Sequence, residues 1–131
     1  MQITALVKED FLSAQADEPL SQVIGKLMSG NQREVFVFQG KKLIGVLENS
    51  FVLSSRVNAA QVQIGKFAKR VPSVSPDMDA KKAAALMASA GTAVLGVEKS
   101  GKLVGAVHCR ELLNSLKNEP EIKELRIGEI N

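Results

Sequence analysis

The chain has 131 residues, 45% hydrophobic and 24% charged, enough for one compact domain that buries roughly two thirds of its unfolded surface without staples. Cys109 is the only cysteine, which excludes an internal disulfide and suits a reducing, intracellular setting. The formal charge of +3 falls entirely in residues 61–131, since residues 1–60 balance, and such a mild excess identifies no partner by itself.

Met1 to Val7 is too short an apolar run for a signal peptide and is closed by Lys8-Glu9-Asp10. No stretch approaches the ~20 apolar residues of a membrane span, so the expectation is a cytoplasmic protein with no membrane partner. After a short extended entry at Leu12 to Gln15, Glu18 is expected to cap, and Pro19 to open, a helix with Leu20, Val23, Ile24, Leu27 and Met28 on one face. Gly30-Asn31 stops it. Glu34 to Phe38 is rich in β-branched and aromatic residues and predicts a strand. Gln39-Gly40-Lys41 turns it back into a second strand, Lys42 to Leu47. A second helix is expected from about Ser50, with Phe51, Val52 and Leu53 as its buried side, fading into a polar connector from Arg56 to Gln63.

The order then recurs. A shift of sixty residues lays Ser13 over Ser73 through to Ser55 over Ser115 without a gap, with Lys42-Leu43-Ile44-Gly45-Val46-Leu47 over Lys102-Leu103-Val104-Gly105-Ala106-Val107. Tandem duplication at this period means that each unit presents an apolar face for burial against its twin. The second copy starts with an extended entry at Val71 to Ser75. Asp77 or Asp79 then caps a helix whose face is Ala80, Ala83, Ala84, Met87 and Ala88, and Gly91 ends it. Strands follow at Ala93 to Glu98 and Lys102 to Val107 around Ser100-Gly101. A closing helix spans Arg110 to Lys117, stopped before Pro120. Lys66, Lys69, Arg70, Lys81 and Lys82 read as a solvated face.

Val74-Ser75-Pro76-Asp77, Ala83-Ala84, Leu86-Met87, Gly101 to Val107 and Arg110-Glu111-Leu112-Leu113, in order and at one spacing, resemble the tandem CBS module, or Bateman domain, named after cystathionine β-synthase. The resemblance covers nearly the whole chain. It implies an α+β fold of two β-α-β-β-α repeats related by a pseudo-twofold axis, the first over residues 1–60, the second over 61–118, with a tail at 119–131. It also implies a non-enzymatic regulatory sensor of an adenosine-type ligand, such as AMP, ADP, ATP or S-adenosylmethionine, held in a cleft between the repeats. No cofactor is required, and the module is expected to dimerise through its helices and to regulate a protein that nothing here names.

In the family, the segment after the last strand carries a Thr or Ser and, three residues on, an Asp that accepts from ribose hydroxyls. Here the second repeat has His108 and Glu111 at those positions, with Arg110 between them as a further donor toward phosphate. The resemblance places Ser13, Arg33, Glu34 and Val35 of the first repeat in the same cleft. The first repeat has Glu48 where phosphate would lie and Phe51 where ribose needs an acceptor, so its cleft is not expected to bind nucleotide in the usual mode. Ser73, Thr92, Ala93 and Val94 would form the other wall of that second cleft.

Simpler roles compete. Glu111 in a first helical turn is favoured by the helix dipole whether or not a ligand binds. His108 and Cys109 lack the partners for a tetrahedral metal site or a nucleophilic triad, and no phosphate-binding glycine loop is present. The alternative of another class is a ligand-free dimeric scaffold, in which Ala83, Ala84 and Ala88 make a close helix contact. Nucleic-acid binding is a minor alternative, since the chain has no Trp or Tyr and no basic stripe with stacking residues. Leu125 to Ile130 echoes Gln63 to Phe67, as if a further unit were about to start.

Overall fold

A computed structural model describes residues 1–30, 33–48 and 62–117. The expected helix from Ser50 with its Phe51 to Leu53 face, the stop at Asn31, most of the connector and the tail at 119–131 lie outside the described residues.

The chain forms two compact units, one of Asp10–Val71 and the other of Met1–Glu9 with the chain from Pro72 onward. They cut the chain elsewhere than the repeat boundary expected at residue 60. The physical reason is edge pairing: the segment ahead of each repeat bonds to the sheet of the other one. In the first unit, β1 (Leu12–Gln15) runs parallel to β2 (Glu34–Gln39) through the crossover helix α1 (Leu20–Gly30), and β2 pairs antiparallel with β3 (Lys42–Glu48). The second unit repeats this with β4 (Ser73–Val74), α2 (Ala80–Ala90), β5 (Val94–Lys99) and β6 (Lys102–His108), followed by α3 (Cys109–Leu116). The two three-stranded sheets have orders β1-β2-β3 and β4-β5-β6. Both hairpins carry a register shift at the same place, between Val37 and Phe38 and between Val97 and Glu98.

The turns differ although the hairpins match. Gly40 alone has positive φ, at 64°, in the first, whereas Ser100 and Gly101 at 55° and 78° supply the two positive φ values of a type I′ turn in the second. Helix α2 has the expected punctuation, with Asp79 Oδ2 accepting from Lys81 and Lys82 N–H at its start and Gly91 left-handed at its end. Helix α1 does not. Its first N–H, that of Leu20, donates to the Val62 carbonyl at 2.8 Å, and Glu18 turns back to accept from Gln15 N–H at 2.6 Å and from Lys26 Nζ at 3.1 Å. A carbonyl from a distant segment thus does the work expected of the Glu18 side chain.

Each unit has its own core, and the two are filled from corresponding positions of the repeat. Ala14, Leu20, Val23, Leu27, Val35, Val37, Leu47 and Ile64 fill one; Val74, Ala80, Ala83, Met87, Leu95, Val97, Val107 and Ile3 fill the other, with Leu112 and Leu116 of α3 added. Each such aliphatic side chain taken from water stabilises its unit by about 1.5–3 kcal/mol, less for the alanines. Two helix-face expectations fail at the rim: Met28 is 73% exposed and Ala88 is exposed, because the buried stripes end at Leu27 and Met87 and the next residue lies about 100° further round the helix.

Two short 3₁₀ turns, Ile3–Leu6 and Ile64–Lys66, were not expected. Each delivers an isoleucine to a core and then runs along a sheet edge. Lys69 exchanges both backbone hydrogen bonds with Val46 of β3 at 2.8 Å, and Lys8 does the same with Ala106 of β6 at 2.8 and 2.9 Å. The approach is close enough that a methyl group on Gly45 would sit 2.5 Å from the Lys69 carbonyl oxygen, and one on Gly105 2.5 Å from that of Lys8. These glycines are needed for space, not for conformation.

Candidate functional site

The junction of β6 and α3 gathers three of the expected residues. His108 ends β6 opposite Val94, and α3 begins at the next residue with no intervening loop. Cys109 N–H donates to the Ala93 carbonyl at 2.8 Å, which fixes the direction in which the helix leaves the strand. Leu112 and Leu116 anchor the other face of α3 in the core, so Arg110 and Glu111 in its first turn are held outside it. His108 is buried at 8% exposure, Arg110 is exposed and Glu111 lies between. Nδ1 of His108 and Oε2 of Glu111 are buried atoms without a hydrogen bond, although both residues are otherwise engaged.

The sequence did not point to Lys8. Its Nζ lies 3.7 Å from Glu111 Oε1, with side-chain exposures of 49% and 29%. One cation therefore meets one carboxylate here, with Arg110 exposed in the same helical turn and His108 at the strand end: donors for an anion and an acceptor for hydroxyls. Among the described residues no group of three His, Cys, Asp or Glu side chains could hold a metal ion, and no helix is long and apolar enough to cross a membrane.

Ser13, Arg33, Glu34 and Val35 belong to the first unit. Ser13 stands opposite Phe36 in β1, Val35 is fully buried between Leu12 and Leu47, and Glu34 is buried at 5% directly opposite Glu48. Arg33 is exposed just ahead of β2. The structure thus clusters Arg33, Glu34 and Val35 at one end of β2 and His108, Arg110 and Glu111 at the end of β6. Of the expected second cleft, Glu48 shares a cavity of about 180 Å3 with Val46, Leu47, Phe67 and Lys69. Phe51 lies outside the described residues. In the other unit, the Thr92 hydroxyl closes on Val94, donating to its carbonyl at 3.1 Å and accepting from its N–H at 3.3 Å. Ser73 is exposed opposite Gly96, and the Ala93 carbonyl is taken by Cys109.

A wider hollow of about 440 Å3 opens at the hairpin-tip end of the first unit, lined by Gln15, Asp17, Gln39, Gly40, Gln63 and Lys66 among others. The Gln15 amide holds Gly40 by both its N–H and its carbonyl, at 2.9 and 3.1 Å. Its polar walls are exposed, and it contains none of the expected ligand residues. The β6–α3 junction, which concentrates charge against buried polar atoms, is the better candidate.

Residues 64–118 match the family model of the CBS domain. No curated protein matches the chain. Among solved structures, the CBS domain of a bacterial CNNM/CorC family Mg2+ transporter in complex with ATP is similar with a TM-score of 0.79 at 12% identity, over 90% of this chain and 88% of that one. A CBS domain-containing protein from Kribbella flavida DSM 17836 gives 0.75 at 19% identity, over 90% and 99%. The cytosolic domain of the Mg2+ channel MgtE in complex with ATP gives 0.73 at 21% identity, over 88% of this chain but only 48% of that one. At these identities the solved structures establish a shared fold, that of CBS-domain structures, and the family match places a CBS domain over the second repeat.

Proposed function

We propose that the protein is a non-catalytic regulatory module, a tandem CBS pair that senses an adenosine-type ligand at the β6–α3 junction. The observation that carries this reading is the placement of Glu111 with Arg110 and Lys8 on a rigid strand-to-helix corner. A carboxylate there accepts ribose hydroxyls, and the cations face phosphate. Two structures of the same fold in complex with ATP support a nucleotide as the ligand class. Such a ligand regulates only through its differential affinity for two states of the protein, so the reading requires a partner that distinguishes them.

With no Trp or Tyr, the chain barely absorbs near the nucleotide band. The test is an ultraviolet spectrum of freshly purified protein, then mass spectrometry of the small-molecule filtrate after denaturation, with calorimetric titration of AMP, ATP and S-adenosylmethionine into the stripped protein. An adenosine compound in the filtrate or a saturable titration is expected. A blank filtrate with no heat from any of the three would sink the sensor reading. A homodimer acting on a separate protein is part of this proposal, supported by the outward-facing Met28 and Leu113, which are 73% and 47% exposed. Sedimentation showing monomer alone at high concentration would remove that part.

A further inference from the structure

Lys8 is fixed by its backbone rather than by its charge. Its N–H and carbonyl both pair with Ala106, and Gly105 leaves just enough room for that approach. The edge pairing therefore fixes the Lys8 main chain beside β6, from where its side chain reaches the β6–α3 junction. What it meets is Glu111, at 3.7 Å, in a pair about half open to water on the lysine side. Pairs of this length and exposure contribute little to stability, because solvent competes for both ends. A cation positioned independently of its counter-ion, and held by it only weakly, is suited to exchange that counter-ion for an incoming anion.

The first unit contains the same device. Lys69 pairs with Val46 through the same two backbone bonds, and with Glu48 it lines the cavity of about 180 Å3. The acid comes from a different place, the last residue of β3 rather than the first turn of a helix. The lysine, however, keeps its position relative to the sheet.

We propose that Lys8 is the anion anchor of the Glu111 site, and that the site for this reason selects a negatively charged adenosine nucleotide over neutral adenosine and over the sulfonium cation of S-adenosylmethionine. The inference rests on the ligand reading above and adds its charge selectivity. An entering phosphate takes the Lys8 ammonium in a charge-assisted hydrogen bond, and Glu111 is released to accept from ribose. Arg110, exposed in the first turn of α3, supplies the second cation.

The experiment is calorimetric titration of AMP, adenosine and S-adenosylmethionine into the full chain and into its Lys8→Met and Lys8→Arg variants, at low and at physiological salt. Lys8→Met is expected to weaken AMP roughly tenfold and adenosine less than about twofold, the loss shrinking as salt rises. S-adenosylmethionine should bind no worse than to wild type. Lys8→Arg, which keeps the charge on the same backbone pairing, is expected to restore AMP to within about threefold of wild type. An unchanged AMP affinity in Lys8→Met, an equal loss of AMP and adenosine, or a failure of Lys8→Arg to restore AMP overturns the anchor while leaving the ligand site standing. A wild-type chain that binds none of the three compounds overturns the ligand reading, and this inference with it.

Discussion

Replacing Gly105 by Ala tests the edge pairing on which the architecture of the site depends. The added methyl group would lie 2.5 Å from the Lys8 carbonyl oxygen, 2.5 Å from Val7 Cγ1 and 3.2 Å from the Lys8 carbonyl carbon, and a backbone carbonyl cannot swing aside as a side-chain tip can. Two responses are open to the chain. If the segment stays, overpacking costs about 1–3 kcal/mol. If it lifts, the two hydrogen bonds between Lys8 and Ala106 are lost at roughly 0.5–1.5 kcal/mol each. Both routes lead to a destabilisation of about 1–3 kcal/mol, a fall in Tm of several degrees for a chain of this length. Gly45→Ala should do the same in the other unit, where the methyl group would meet the Lys69 carbonyl oxygen at 2.5 Å and its carbon at 2.8 Å. Gly25 in α1 has nothing within 4 Å of a built Cβ, so Gly25→Ala should instead stabilise by about 0.5–1 kcal/mol. Urea unfolding gives the three free energies, and amide hydrogen exchange at Lys8 and Ala106 shows whether the segment has lifted. Gly105→Ala unfolding like wild type, with both amides still protected, would refute the close pairing.

Other consequences are as direct. Glu111→Ala should weaken the nucleotide roughly tenfold to a hundredfold in calorimetry, as expected for charge-assisted bonds of ~1.5–3 kcal/mol; unchanged binding would remove Glu111 from the site. Ile64→Ala, which empties a fully buried position in the first unit's core, should cost about 2–5 kcal/mol in denaturant unfolding, a loss that a merely linking segment would not show. Burial alone would raise the Glu18 pKa, but the Gln15 N–H bond together with the Lys26 hydrogen bond and charge outweighs it and holds the carboxyl below its ordinary value. The stabilisation is therefore full above the unfolded-state pKa and fades as pH falls through the lower folded-state value. The pair is solvent-screened and worth under ~1 kcal/mol, so the stability gap between wild type and Glu18→Gln should be small at pH 7 and vanish once the pH falls below the folded-state value. Gly91 sits at φ 66°, and Gly91→Ala should cost about 1–2 kcal/mol through left-handed strain at the end of α2, read as a lower Tm.

The duplication, the hairpins and both crossover helices were legible in the residues, because each rests on local chemistry. Helical spacing in Leu20, Val23 and Leu27, β-branched runs such as Glu34 to Phe38, and glycine where φ must be positive are written into neighbouring residues. Glu111, Arg110 and His108 were legible only through their register within the repeat. The fixed shift of sixty missed the edge segments, because Gln2-Ile3 matches Gln63-Ile64 at a shift of sixty-one. A search allowing one gap would have found them, and with them Lys8 and Lys69.

What remained for the tertiary structure to decide is which distant segment completes each sheet. Edge pairing is made by backbone N–H and carbonyl groups that nearly every residue carries, so composition and periodicity do not reveal it. That choice let the Val62 carbonyl take the place expected of the Glu18 side chain at the start of α1, and it brought Lys8 to Glu111 across about a hundred residues of chain. The amino-acid order by itself determined a twice-repeated α+β unit with a charged corner at the end of β6. Only the folded chain showed that the corner's second cation comes from an edge segment, because long-range backbone pairing, not side-chain pattern, puts it there.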